Sequence, residues 1–139
     1  MIAVDWGSTR LRAYRMDAAG NVIAQQRNDH GVLACNGDFA AVLASVVDPW
    51  DDTDIMLSGM IGSRQGWVEA PYVACPALLT ALVEGIVTVP DAPLHIVPGV
   101  RHARPDVMRG EETQCLGALA LLPVLSERAT LLLPGTHSK

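Results

Sequence analysis

The chain has 139 residues, half of them apolar and 18% charged, with a formal net charge of −5. That length and apolar share allow one domain with a real core and exclude an intrinsically disordered chain. The negative charge argues against a general nucleic-acid binder, which carries a basic patch. A small anionic ligand stays open. The basic residues are nine arginines and one lysine, and the guanidinium fork suits carboxylate and phosphate.

The first stretch, Met1 to Asp17, reads M-I-A-V-D-W-G-S-T-R-L-R-A-Y-R-M-D. An apolar strand, Ile2 to Val4, delivers Asp5 to a turn at Trp6-Gly7-Ser8-Thr9, and Arg10 to Met16 leads back, which reads as a β-hairpin. A turn of small residues exposes N–H groups and hydroxyls that can cradle a phosphate. A carboxylate beside it can hold Mg²⁺, a hard cation that shares carboxylates with substrate phosphates. The plainer alternative is a hairpin whose Asp5 only caps its turn.

Ala18 to Asn21 is a second turn and Val22 to Arg27 a third strand, completing a meander. Asn28 to Gly37 reads as loop. Phe39, Val42, Leu43, Val46 and Val47 follow the helical period, with Asn36 or Asp38 as cap and Pro49 as stop. Asp54 to Ser58 is a buried strand, expected beside the first. The loop from Gly59 to Tyr72 then gathers three glycines with Arg64, Gln65, Trp67 and Glu69. Ligands of α/β proteins bind beyond the carboxyl ends of strands, so this loop is a candidate substrate pocket. The alternative is a long connection whose Trp67 covers the core.

Pro76 to Glu84 reads as a helix with proline in its first turn. Ile86 to Val89 and Leu94 to Val97 are short strands, and Pro98 to Asp106 is a basic loop. His102 there is a candidate base or an ordinary surface histidine. Val107 to Gln114 leads into an apolar helix, Cys115 to Leu122, ended by Pro123. Glu111 and Glu112 fall in its first turn, where the helix dipole favours ionised carboxylates. Either they only stabilise the helix start, or one faces a cleft and takes a proton. As neighbours on a helix they cannot flank one bond as paired carboxylates, which argues against an acid-base hydrolase.

Cys35, Cys75 and Cys115 are odd in number and far apart, and they read as reduced thiols of a cytoplasmic protein. No signal-peptide pattern opens the sequence. The longest apolar run, Cys115 to Leu125, is too short for a bilayer. Thr130 to Leu133 reads as a new buried strand entering the turn Pro134 to Lys139, and the sequence stops inside that turn. The expectation is therefore the N-terminal part of a longer protein.

Taken in order, Val4-Asp5-Trp6-Gly7-Ser8-Thr9, Ser58-Gly59-Met60-Ile61-Gly62-Ser63-Arg64-Gln65-Gly66-Trp67, Pro98-Gly99-Val100, Pro105 to Gln114 (P-D-V-M-R-G-E-E-T-Q) and Leu133 to Lys139 (L-P-G-T-H-S-K) resemble the 2-dehydro-3-deoxygalactonokinase family, within the sugar kinase, hexokinase, Hsp70 and actin superfamily. The resemblance implies an α/β, ribonuclease-H-like lobe: a mixed sheet with a meander start, flanked by helices, and the first half of a two-lobed actin-like ATPase fold about twice this length. Residues 1–128 would form the substrate and phosphate lobe, and 129–139 the truncated start of the nucleotide-binding lobe. The resemblance thus leaves open whether this chain is active without that second lobe.

The implied reaction is ATP-dependent phosphorylation of 2-dehydro-3-deoxy-D-galactonate on its 6-hydroxyl, in galactonate breakdown. The resemblance gives Asp5 the role of Mg²⁺ ligand, directly or through water. It gives Gly7, Ser8, Thr9, Gly135, Thr136, Ser138 and Lys139 the phosphates. Glu112 becomes the general base, with Glu111 as the alternative, because related kinases carry Asp there. Arg64 becomes the partner of the substrate carboxylate, and Gln65, Trp67, Glu69 and Arg109 complete the sugar pocket. Two other readings stand beside it: a kinase of the same superfamily with a neutral substrate, and a non-catalytic ligand-binding fragment.

Overall fold

A computed structural model describes residues 1–134 and 138–139. Nine strands and three helices lie among them: β1 (Ile2–Trp6), β2 (Leu11–Met16), β3 (Val22–Asn28), α1 (Phe39–Val47), β4 (Ile55–Ser58), β5 (Tyr72–Ala74), α2 (Leu79–Glu84), β6 (Val87–Thr88), β7 (Leu94–Ile96), β8 (Gly99–Arg101), β9 (Val107–Met108) and α3 (Glu111–Leu121). The main sheet has the order β3-β2-β1-β4-β7-β6. Its first three strands are the expected antiparallel meander. The chain then crosses over through α1, and β4 pairs parallel with β1, as β7 does with β4. An antiparallel meander continued by parallel strands is the mixed sheet of a ribonuclease-H-like lobe.

Period-two alternation in β1 sends Ile2, Val4 and Trp6 to one face and Ala3 and Asp5 to the other. The first face is the core. Trp6 is fully buried, meets Phe39 of α1 edge-to-face at 6.0 Å, and donates its indole N–H to the His30 carbonyl at 3.1 Å. Helix α1 buries Phe39, Leu43, Val46 and Val47, and Asp38 caps it by accepting the Ala41 N–H. A side-chain cap of this kind is worth about 1 kcal/mol.

Three expectations are corrected. Pro76 does not open a helix. Cys75 N–H is tied to the Arg101 carbonyl at 2.8 Å, the chain bends at Cys75-Pro76 and Leu78 is extended, so α2 starts at Leu79. The basic loop from Pro98 to Asp106 contains β8 and precedes β9, which join β5 in a separate three-stranded sheet. Thr130 to Leu133 is no buried strand: it is irregular and largely exposed, and Leu133 exchanges backbone hydrogen bonds with Lys139 rather than with either sheet. An apolar run needs a sheet edge to pair with before it becomes a buried strand.

Candidate active site

Two glycines bring the site together. Gly59 follows β4 with φ +92°, and a Cβ there would stand 2.8 Å from the Trp6 carbonyl. Gly110 precedes α3 with φ +110°, and its Cβ would come within 3.2 Å of the Gly59 Cα. Side chains tolerate neither conformation nor approach. The contact sets the N-terminus of α3 against the carboxyl ends of β1 and β4.

Residues 109–114 there form a wall shared by two clefts. The first, about 370 Å³, is lined by Asp5, Arg12, Tyr14 and Ser58 from the open face of the sheet, and by Gly110, Thr113 and Gln114. The second, about 420 Å³, is lined by Met60, Ser63, Arg64, Gln65, Glu69, Tyr72 and Arg109.

Asp5 lies inside β1 rather than in the turn, opposite Arg12 in the antiparallel register and Ser58 in the parallel one. Its Oδ2 accepts from Arg12 Nη1 at 2.9 Å. Arg12 escaped the sequence reading, yet a two-residue loop at Ser8-Thr9 places it directly across from Asp5, so hairpin register would have found it. Gly7, Ser8 and Thr9 form the hairpin tip beyond Asp5 and line neither cleft. The tip is held from behind, where Val32 and Leu33 N–H groups donate to the Gly7 and Ser8 carbonyls at 3.0 and 3.2 Å. Asp5 offers a single carboxylate, and among the described residues no three His, Cys, Asp or Glu side chains converge on a metal position. That donor set fits Mg²⁺ in the form it takes beside nucleotides, with one carboxylate, several waters and the phosphates themselves.

Glu112 is 4% exposed. Both its carboxylate oxygens accept the Gly110 N–H at 2.8 Å, and Oε1 also accepts the Thr113 hydroxyl at 3.3 Å. Burial pushes its carboxyl above the ordinary value, against the opposing pull of these hydrogen bonds. Glu111 is half-buried and accepts the Arg109 N–H at 2.9 Å. Neither carboxylate lines a cleft; they stand within the wall that separates the two.

The second cleft unites Arg64, Gln65, Glu69 and Arg109 as expected, and adds Tyr72 and Ser63. Trp67 does not join them. Its ring stacks on Phe39 at 6.1 Å and packs against the core, because the apolar side of the loop must cover the end of α1. Arg64 is 87% exposed and pairs with Glu69 at 3.3 Å. Gly135 and Thr136 lie outside the described residues. Ser138 is exposed, and Lys139 bonds Asp106 in the β8–β9 connection instead of reaching the Asp5 cleft. That pairing holds the Asp106 carboxyl below the usual range. His102 Nδ1 accepts the Arg104 N–H at 3.1 Å, which makes it part of its own loop.

No helix among the described residues is long and apolar enough to cross a membrane. The family model described as 2-keto-3-deoxy-galactonokinase matches residues 5–139. A curated Escherichia coli (strain K12) protein named 2-dehydro-3-deoxygalactonokinase is 40% identical over 144 residues, and a Rhizobium meliloti (strain 1021) protein named for the same activity is 39% identical over 153. Each alignment takes in 99% of this chain and 47% of the relative. A crystal structure from Sinorhizobium meliloti, also named for this kinase, superimposes with a TM-score of 0.84 at 36% identity, again over 99% of this chain and 47% of the other. The chain thus spans about half the length of the curated relatives it matches. It belongs to the 2-keto-3-deoxy-galactonokinase family.

Proposed function

We propose that this chain supplies the substrate and phosphate lobe of an ATP-dependent kinase that phosphorylates the 6-hydroxyl of 2-dehydro-3-deoxy-D-galactonate. The observation that carries this reading is the wall at residues 109–114, with a carboxylate-bearing cleft on one side and an arginine-bearing cleft on the other. Phosphoryl transfer asks for a donor and an acceptor held in line, and for little other chemistry from the protein. Residues 1–128 form this lobe, and residues 129–139 begin the next; the described part of that last stretch adds no strand to either sheet.

The donor phosphates lie over the hairpin, with Gly7, Ser8 and Thr9 at its tip and Arg12 turned toward their charge. Ser138, Lys139, Gly135 and Thr136 serve the phosphates from the other side once the next lobe is in place. Asp5 holds Mg²⁺, which when bound neutralises phosphate charge and orients the terminal group. The sugar acid occupies the cleft of Arg64, Gln65, Glu69 and Arg109. Glu112 is the proposed base: lining neither cleft itself, it takes the 6-hydroxyl proton where the acceptor meets the wall beside Gly110 and Thr113, as that oxygen bonds to the γ-phosphorus and ADP leaves with the electrons of the broken bond. Burial, which pushes the Glu112 carboxyl above its ordinary value, makes it a better proton acceptor than an exposed glutamate. Glu111, tied to the Arg109 backbone, is the positioning neighbour.

A coupled ADP-release assay on the whole protein, with ATP, Mg²⁺ and the keto-deoxy acid, tests the reading. Turnover that depends on the acid supports it. Turnover with a neutral sugar in place of the acid would instead favour a sugar kinase of the same superfamily. No turnover from a folded protein would leave a ligand-binding module.

A further inference from the structure

We infer that Arg109, and not Arg64, is the residue that holds the carboxylate of the sugar acid. The inference rests on the kinase reading above and names the anion site within its second cleft.

Arg109 is 9% exposed, and among the described residues its side chain has no carboxylate partner. Nη2 donates to the Ala70 carbonyl at 2.9 Å and Nε to the Tyr72 hydroxyl at 3.2 Å. Nη1 donates to nothing, the one buried side-chain nitrogen or oxygen among the described residues left in that state. Burying a cation without a counter-charge is costly, and a buried donor left unmade adds to that cost. Guanidinium cannot escape by losing its proton. Neither Ala70 nor Tyr72 brings negative charge, so a neutralising anion has to come from outside the described residues.

The surroundings are built to keep this group in place. The Tyr72 ring lies under the guanidinium, 4.1 Å from Cζ. The same ring lies against Gly99, where a Cβ would stand 2.7 Å from its edge. Gly62 does the same for Nη1, since a Cβ there would come within 2.9 Å of it. Any side chain at either glycine would push the tyrosine or the arginine out of position. The second sheet therefore acts as a bracket that presents one planar cation at the cleft wall.

Arg64 has the opposite character. It is solvated and already has Glu69 as partner, so a carboxylate on it would displace an ion pair and gain little. At the buried Arg109, which lines the same cleft, a charge-assisted hydrogen bond keeps its strength, and no carboxylate of the described residues competes for it. Glu69, spent on Arg64, leaves Arg109 for the ligand.

The test is calorimetric binding to the whole protein without nucleotide, using 2-dehydro-3-deoxygalactonate and its uncharged 1-carboxamide. The wild type should prefer the acid. Arg109→Met should weaken the acid about 100-fold and leave the amide almost unchanged, so that the preference disappears. Arg109→Lys, which keeps charge and volume, should weaken the acid about 10-fold, because a point charge replaces the fork. Arg64→Ala should weaken acid and amide by the same factor, so that the acid preference stays. Equal losses of acid and amide in Arg109→Lys would make Arg109 a structural brace and overturn the assignment. Loss of the acid preference in Arg64→Ala would return the carboxylate to Arg64. A wild type that binds the amide as well as the acid overturns the anion site without touching the kinase reading, which ADP release tests separately.

Discussion

The two faces of β1 are made by the same five residues and have little else in common. Ile2, Val4 and Trp6 are buried to within 2% on one face, sealed by α1. Ala3 and Asp5 on the other stay half-buried, with Arg12, Tyr14, Met56 and Ser58 beside them in an open cleft. One face holds the fold and tolerates no polar group. The other carries charge at a cost small enough for the closed face to absorb. Substitutions on the first should therefore act through stability, and on the second through turnover.

The sharpest test of that division is the largest effect. Trp6→Ala removes a fully buried ring, its edge contact with Phe39 and its bond to the His30 carbonyl. Truncations of this kind cost about 3–5 kcal/mol, which is a large share of a domain's stability. Urea titration should show the unfolding free energy fall by that amount, as a lower midpoint at unchanged slope. A loss below about 1 kcal/mol would mean that the closed face is not the core.

Glu112→Gln belongs to the other side of the comparison. It should lower kcat about 10²-fold or more if Glu112 takes the substrate proton. Its effect on stability should run the other way. Burial raises the Glu112 carboxyl above its ordinary 4.5, so the folded protein binds this proton more readily than the unfolded chain. That contribution favours folding at low pH and is lost as pH rises through the raised value. Glutamine keeps an acceptor for the Gly110 N–H and removes the buried charge. The variant should therefore gain stability over the wild type near neutral pH, with the difference shrinking toward pH 4 in thermal melts. Near-normal turnover would pass the role to Glu111.

The closed face was legible in the sequence, and the open one only partly. Alternation in β1 and helical spacing in α1 are direct consequences of burial on one side, so Ile2, Val4, Phe39 and Leu43 declared themselves. The same logic offered Asn36 or Asp38 as cap, and Asp38 is the one that bonds. The second sheet did not declare itself, because strands of two or three residues, Tyr72–Ala74, Gly99–Arg101 and Val107–Met108, are too short to show a period. With it went the burial of Arg109, which the resemblance set in the sugar pocket but which no spacing in the sequence ties to the Tyr72 ring beneath it. Trp67 misled for a related reason. Its loop has a wet side and a dry side, and a tryptophan in a polar loop satisfies either reading until Phe39 is seen against it. Thr130 to Leu133 is apolar enough for a strand, but without a sheet edge to pair with it stays irregular.

Gly59→Ala acts where the two faces meet. The added Cβ would sit 2.8 Å from the Trp6 carbonyl in a backbone conformation with φ +92°. The strain should cost about 1–3 kcal/mol, and relief requires Gly59 to move against Gly110 and carry the start of α3 with it. The same variant should thus lose stability and turnover together, unlike Trp6→Ala or Glu112→Gln. A full loss of stability with kcat unchanged would separate α3 from the chemistry.

The smallest effect is the most discriminating. Asp5 and Arg12 form the shortest ion pair of the open face, at 2.9 Å with side chains 32% and 48% exposed. At that exposure the pair should contribute less than about 1 kcal/mol. A double-mutant cycle of Asp5→Asn and Arg12→Gln, read by urea unfolding, should return a coupling of that size or smaller. The same cycle read by kcat/KM for ATP should show each single change losing about 10-fold or more, because each residue faces the donor phosphates in the reading proposed here. The two readouts would then disagree, as they should for residues kept for a ligand rather than for each other. Strong coupling in stability with weak effects on turnover would reverse the assignment: Asp5 would be the structural partner of Arg12, and the hairpin would hold the sheet together on both faces.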